Sequence, residues 1–481
     1  MNGVILKDCK FLFQSAEQIS TGTSVFVAGD TIKAVGDFSG LTVMAPEAEI
    51  VDCSNKIVMP GFVDAHNHLC NTHMNLCRAF PFDYGSILEH MMTTIHGPYG
   101  WHSEESMYDI SMASLVNAVK HGATTVSNCT ILPEVAHDAM RESKVRGILA
   151  PQIQTGVRLH NDNLTWQGAL DKAEYCLKTY HKPEETMNGV VHCHDLYDCA
   201  DGFLRSAHAL AKQYHTNFVT HFWEFASTVE KAEKAWKQDG GAFAHYLKLG
   251  IVDGKTVLFH GSQLDAGQIE TLAKLGAAVI HNPDINASNC GTCAYVPKML
   301  EAGLTVGLGS DYGSLSILSA IKLMSCVHSI QFQRELRTIP YEAPFHCATM
   351  GGAKAYQLDH LIGSIEPGKR GDIITFDLSR ASNLLPMSTA ILDHAPILLH
   401  FLFSRNAVGI STCESLINGE FVRKNGEFVH LDEEAIVARA GEWCGRSFLD
   451  IKKAREEGRY YARQVHLDYI PDDQIPPEVF T

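Results

Sequence analysis

Val58-Met59-Pro60-Gly61-Phe62-Val63-Asp64-Ala65-His66-Asn67-His68 decides how the rest of the chain reads. An apolar, β-branched run leads out into two histidines. The pattern predicts a buried strand with His66 and His68 at its end. Side chains two apart on a strand point the same way. Two imidazoles would then face one side, and neutral imidazole suits zinc or iron. His-x-His pairs also occur in loops and on solvated edges, so a metal reading needs further ligands at other strand ends.

From Ile57 onward, short β-branched runs alternate with amphipathic stretches such as Glu105 to Lys120, Gly202 to Tyr214 and Ala266 to Leu275. The runs end at His66, near Ser127, near Gln152, and at His194, His221, His260, His281 and Asp311. Eight strand–helix repeats imply parallel strands with crossover helices, and eight close a TIM-like (β/α)8 barrel. No Gly-rich dinucleotide fingerprint follows an early strand, which argues against an open doubly wound sheet. Chemistry in such a barrel gathers at the C-terminal strand ends. Six of the eight runs finish there on histidine or aspartate.

The barrel is expected over residues 57–363. Residues 1–56 alternate in short strands, with a hairpin turn at Ala28-Gly29-Asp30. Residues 364–430 bring further strands and an Asn418-Gly419 turn. Together these are expected to form a small composite β-sandwich. Residues 431–481 read as a helical segment and a Pro-rich tail.

Bulk properties narrow the function. The chain has 481 residues, 45% hydrophobic and 20% charged, with a formal net charge of −16. That charge disfavours nucleic acid and anionic membranes as partners. No apolar run is long enough to span a bilayer, and the first residues do not read as a secretory signal. The fourteen cysteines have no framework spacing and read as reduced thiols. Cys290-Gly-Thr-Cys293 reads as a loop with two thiols. A cytoplasmic homodimer or higher homo-oligomer acting on a small molecule is expected.

In the barrel, His66, His68, His221, His260 and Asp311 would converge on one mouth. Three histidines and a carboxylate would hold a catalytic zinc or Fe(II) with one position open for water. The fourth histidine would then act beside the ion. Glu224, three residues past His221, could reach a substrate above it. The fourth strand carries no lysine for a bridging carbamate, so one divalent ion is expected, zinc first and Fe(II) as the alternative. Specificity is expected in the segment His73 to Trp101, in Arg158, His160 and Trp223, and around Cys290. Arg78 or Arg158 could bind a carboxylate or phosphate.

The chain resembles the amidohydrolase superfamily, in the aminohydrolase branch that holds cytosine and guanine deaminases, methylthioadenosine or S-adenosylhomocysteine deaminases and triazine hydrolases. The likeness runs over residues 2–430. It rests on Pro60 to His68, His121-Gly122-Ala123-Thr124-Thr125-Val126, His221-x-x-Glu224, Phe259-His260-Gly261, His281-Asn282-Pro283, Gly309-Ser310-Asp311 and Gly363 to Ile373. The resemblance implies metal ligation by His66, His68, His221 and Asp311. It implies that Glu224 handles protons, that His260 orients the reacting water, and that His194 and His281 lie near the substrate. The chain departs from the family pattern at Asp284-Ile285-Asn286 and at Tyr312. The expected activity is metal-dependent hydrolytic deamination of an aminated heteroaromatic ring of purine, pterin, pyrimidine or triazine type. The alternatives are hydrolysis of a cyclic amide or other C–N bond, and hydrolytic dehalogenation.

Overall fold

The computed structural model describes residues 2–70, 103–153, 166–197, 199–313, 316–331, 339–378 and 411–456. Eight parallel strands form its centre: β1 (Phe62–Asp64), β2 (Ala123–Thr130), β3 (Arg146–Ile153), β4 (Val191–Asp195), β5 (Phe218–Phe222), β6 (Thr256–His260), β7 (Ala278–His281) and β8 (Thr305–Leu308). Each pairs with the next in chain order, and Met187–Gly189 adds beside β3. Every residue of β2 is buried, as expected of a parallel sheet covered on both faces.

The barrel closes where β8 meets the continuation of β1. Ala65 N donates to Leu308 O and Asp311 N donates to His66 O, each at 2.9 Å. Asn67 and Asp311 form a parallel bridge. The expected TIM-like barrel is therefore present. Outer helices carry the local signals that start and stop them. Ser103 caps Glu104–Lys120 by accepting from Ser106 N, with Glu104 and Glu105 in the first turn and Lys120 in the last. Asp265 and Gln268 form a capping box on Ala266–Leu275, which ends at Gly276 in the left-handed region.

Two further sheets flank the barrel, the first built from the N-terminal stretch and the second from both ends of the chain. One has four strands, ordered Thr31–Gly36, Thr23–Ala28, Val4–Cys9 and Glu49–Asp52. The other runs Glu427–Phe428, Glu420–Lys424, Ser415–Ile417, Ile373–Asp377, Lys56–Pro60, Phe11–Phe13 and Ile19–Ser20. The opening stretch thus differs from its sequence reading as one strand. Lys56–Pro60 pairs antiparallel with Ile373–Asp377, and only Phe62–Asp64 enters the barrel. The chain crosses between sheets at Gly61, where a Cβ would lie 2.0 Å from Thr124 Oγ1.

The helix Glu433–Glu456 packs on Glu104–Lys120, where Arg439 Nε and Trp443 Nε1 donate to the Asp109 carboxylate at 3.1 and 3.0 Å. No helix among the described residues is long and apolar enough to cross a membrane.

A buried ion pair ties the barrel to the second outer sheet. Arg146, at the start of β3, donates through Nε to Asp372 Oδ2 at 3.0 Å and through Nη1 to Glu185 O at 2.7 Å. Asp372 also accepts from Asn418 N at 2.8 Å. Asp372→Ala leaves the Arg146 charge buried without a counterion. It is expected to destabilise the fold by about 3–5 kcal/mol, read by denaturant unfolding.

Candidate active site

The C-terminal ends of β1, β5, β6 and β8 supply one buried cluster. His66 and His68 lie just past β1, His221 within β5, His260 at the last position of β6 and Asp311 past β8. Glu224 follows β5 by two residues. Trp223, His260 and Asp311 all have left-handed backbones, with φ of 53°, 71° and 55°. Such conformations cost non-glycine residues roughly 1–3 kcal/mol and persist only where surrounding contacts fix them. Gly309 lets β8 come close: a Cβ there would lie 2.3 Å from Asn282 Oδ1 and 2.8 Å from His66 Cβ.

The side chains point at a common centre. His66 Nε2 and His260 Nε2 each stand 3.6 Å from Asp311 Oδ2, and His68 Nε2 stands 3.7 Å from Asp311 Oδ1. His68 Nε2 and His221 Nε2 are 3.4 Å apart. The carboxylate contacts are too long for hydrogen bonds. Those of His66 and His68 match donors that each sit about 2.0–2.2 Å from an ion shared with Asp311.

The remaining ring nitrogens set which imidazoles offer a lone pair. His221 Nδ1 donates to His194 O at 2.6 Å, which leaves Nε2 free to ligate. His260 Nδ1 instead accepts from Asn282 Nδ2 and Asn286 Nδ2, each at 3.3 Å. Its proton therefore sits on Nε2, facing Asp311 and, at 3.7 Å, Glu224 Oε2. Cys129 Sγ lies 3.6 Å from His66 Nδ1, and the His66 ring stacks on Phe259 with centroids 4.0 Å apart.

Desolvation dominates the electrostatics. It pushes His68 and His260 down to about 3 and His221 well below its ordinary value, so these three imidazoles are neutral. Burial alone would raise Asp311, yet His66, His68 and His260 together hold its carboxyl well below the usual range. Glu224 goes the other way. Burial, with Asp311 and Asp195 close by, pushes its carboxyl well above the ordinary range.

These residues fit a divalent metal ion. The ligand atoms of His66, His68 and His221 lie within 4.8 Å of one another, as do those of His66, His260 and Asp311. His66 Nε2 and His260 Nε2 are buried with no hydrogen-bond partner among the described residues. An ion would give His66 Nε2 the partner it lacks. Imidazole nitrogen with carboxylate oxygen is a zinc-type donor set.

Residues 57–411 match the amidohydrolase family. The chain belongs to that family. Among curated relatives, a 5-methylthioadenosine/S-adenosylhomocysteine deaminase of Thermoanaerobacter pseudethanolicus is 25% identical over 444 residues, covering 90% of this chain and 96% of the relative. A protein of the same name from Caldanaerobacter subterraneus subsp. tengcongensis is 26% identical over 442 residues, with 90% and 96% covered. Two solved structures share the fold. An adenosine deaminase from Xanthomonas campestris with bound zinc superposes with a TM-score of 0.80 at 19% identity, covering 92% of this chain and 98% of that one. An atrazine chlorohydrolase from Arthrobacter aurescens TC1 complexed with zinc gives 0.79 at 19%, with 92% and 100% covered.

Within this amidohydrolase the other expected site residues fall apart into separate groups. His194 meets the cluster through its carbonyl, with its ring 5.0 Å from that of His221. Trp223, read as a substrate contact, stacks its buried ring on Phe222 at 4.4 Å and packs against Phe243. The left-handed turn at Trp223 puts its ring in the apolar layer. His281, read as close to the substrate, faces Cys293 and His328. Arg158, Arg78, His160 and the segment His73 to Trp101 lie outside the described residues.

The structure also gives partners to residues read in the sequence only as parts of a motif, of a departure from it, or of the region around Cys290, and to Ser262, which carried no signal. Asn282 and Asn286 serve His260; Asn286 belongs to the stretch read only as a departure from the family pattern. Cys290 Sγ donates to Glu224 Oε1 at 3.9 Å. Ser262 Oγ holds the backbone under Glu224 by donating to Glu224 O at 2.7 Å. Nothing local in the sequence pairs these residues.

The tautomers separate ligand from bystander. His221→Ala is expected to lower metal affinity at least tenfold, while His260→Gln keeps the metal. Metal content after dialysis against a weak chelator, read by mass spectrometry, checks the contrast.

Proposed function

We propose that the chain catalyses hydrolytic deamination of an aminated heteroaromatic small molecule. In this reading one divalent ion, zinc first and Fe(II) as the alternative, is held by His66, His68, His221 and Asp311. The observation that carries it is Glu224: a largely buried carboxyl, raised well above the ordinary range, 3.7 Å from the neutral His260 and close to Asp311, whose own carboxyl is lowered. When bound, the ion supplies a water whose pKa falls toward neutrality.

The chain's own residues handle the protons. Burial keeps Glu224 protonated, so it can protonate a ring nitrogen next to the reacting carbon and make that carbon more electrophilic. His260 donates its Nε2 hydrogen toward the nucleophilic oxygen and holds it over that carbon. Asp311, whose carboxyl lies well below the usual range, accepts a proton from the nucleophile. Returned to the amino group, that proton lets it depart as ammonia, and the hydroxyl proton left as the new carbonyl forms goes back to Glu224.

The two curated relatives named above are called 5-methylthioadenosine/S-adenosylhomocysteine deaminases, and each match covers 90% of this chain. That supports 6-aminopurine nucleosides as the first substrates to assay, ahead of pterins, pyrimidines and triazines.

Zinc-loaded protein should release ammonia from one of these classes with the ring intact. Halide release or ring opening without ammonia would overturn the deaminase reading. Glu224→Gln should keep its metal and lose turnover by about 10²–10⁴. Near-normal turnover in that variant would remove Glu224 from proton transfer.

A further inference from the structure

Behind the catalytic cluster lies a second group of ligand-type side chains that the reaction does not use. His281 closes β7. Cys293 follows the π-helical turn Asn286–Cys290. His328 comes from the outer helix Ile317–Gln331. Cys293 Sγ lies 3.6 Å from His281 Nε2 and 3.8 Å from His328 Nδ1. The three ligand atoms fall within 4.8 Å of one another, and all three residues are buried, at 0%, 1% and 1% exposure for His281, Cys293 and His328.

We propose that His281, Cys293 and His328 form a second metal site, distinct from the catalytic centre, for a thiophilic d10 cation, Zn2+ or Cu+.

The spacing carries the argument. An ion with bonds of about 2.0–2.1 Å to nitrogen and about 2.3 Å to sulfur, at tetrahedral angles, separates those ligands by roughly 3.5 Å. The observed 3.6 and 3.8 Å need almost no movement. Thiolate with two imidazoles is a donor set for soft or borderline cations, not for magnesium or calcium. The ligands come from a strand, a loop and a helix, and the loop residue is fixed: Gln331 Nε2 donates to Cys293 O at 2.6 Å. The two thiols of Cys290-Gly-Thr-Cys293 thus face different places, Cys290 toward Glu224 and Cys293 toward this cluster.

Before binding, the cluster is uncharged. Burial pushes the Cys293 thiol up to about 12 and His328 down to about 4. Coordination therefore releases one proton, from Cys293 Sγ to solvent, and requires none from the imidazoles. With Cu+ the buried site stays neutral; with Zn2+ it holds one net positive charge, which burial disfavours. The ion would clamp the loop that carries Asn282, Asn286 and Cys290 against the catalytic cluster.

Full-length protein is stripped with chelator and reconstituted separately with Zn2+ and, without oxygen, with Cu+. Bound metal is counted in the wild type, Cys293→Ser, His328→Gln and, as a control, Cys290→Ser. One equivalent that is lost in Cys293→Ser and His328→Gln but kept in Cys290→Ser is expected with at least one of the two metals. X-ray absorption of that metal in the wild type should show a sulfur neighbour at about 2.3 Å. The absence of any Cys293-dependent equivalent of either metal overturns the proposal. Should the variants not fold, the wild type decides: no sulfur neighbour around either metal overturns it equally. Metal content and sulfur coordination are read without turnover, so failure here leaves the deaminase reading untouched.

Discussion

The closure of the barrel between β1 and β8 is the constraint on which everything else depends. Asp64 sits at that seam, fully buried. Its carboxylate accepts from Ser310 N at 2.9 Å, from Ser310 Oγ at 2.5 Å and from Asn67 Nδ2 at 3.1 Å. Burial raises its pKa to about 6 against the pull of these donors. A buried carboxyl is tolerable only when its oxygens are occupied, so Asp64 enforces the register between the strand carrying His66 and the strand carrying Asp311. Without that register, residues 245 positions apart in sequence would not share a centre.

Once the strands are in register, one low-dielectric pocket drives its groups in opposite directions. Water is excluded, so His68, His221 and His260 give up their charge and present neutral nitrogen, the form that ligates metals. Asp311 lies well below the usual carboxyl range, while burial, with Asp311 and Asp195 close by, lifts Glu224 well above it. The same burial therefore produces a base and an acid a few ångströms apart. The left-handed backbones of His260 and Asp311 are part of that arrangement, since only the surrounding hydrogen bonds hold them there.

The periphery of the site is built by side-chain amides and thiols. Asn282 and Asn286 settle the tautomer of His260, and the carbonyl of His194 settles that of His221. These partners divide the histidines into those with a lone pair for an ion and one with a hydrogen for an oxygen. The outer sheets contribute at a distance, through the Arg146–Asp372 pair that fixes the foot of β3.

The barrel was legible because strand and helix periods differ, and eight alternations leave few ways to bury the apolar runs. His66, His68, His221, His260 and Asp311 were legible because histidine and aspartate are out of place at the ends of buried strands. The division at Gly61 was not, because Val58-Met59-Pro60 and Phe62-Val63 are equally apolar, and only pairing partners tell two sheets apart. Nor could alternation show that Trp223 faces the core or that His281 meets Cys293 and His328. Those outcomes depend on turns past the strand ends, where period carries no information. The sequence by itself determined the architecture and the residue types at the mouth, because both follow from local pattern. Tertiary structure alone decided tautomers, protonation and which thiol meets which histidine, because those depend on burial and on contacts between segments far apart in the chain.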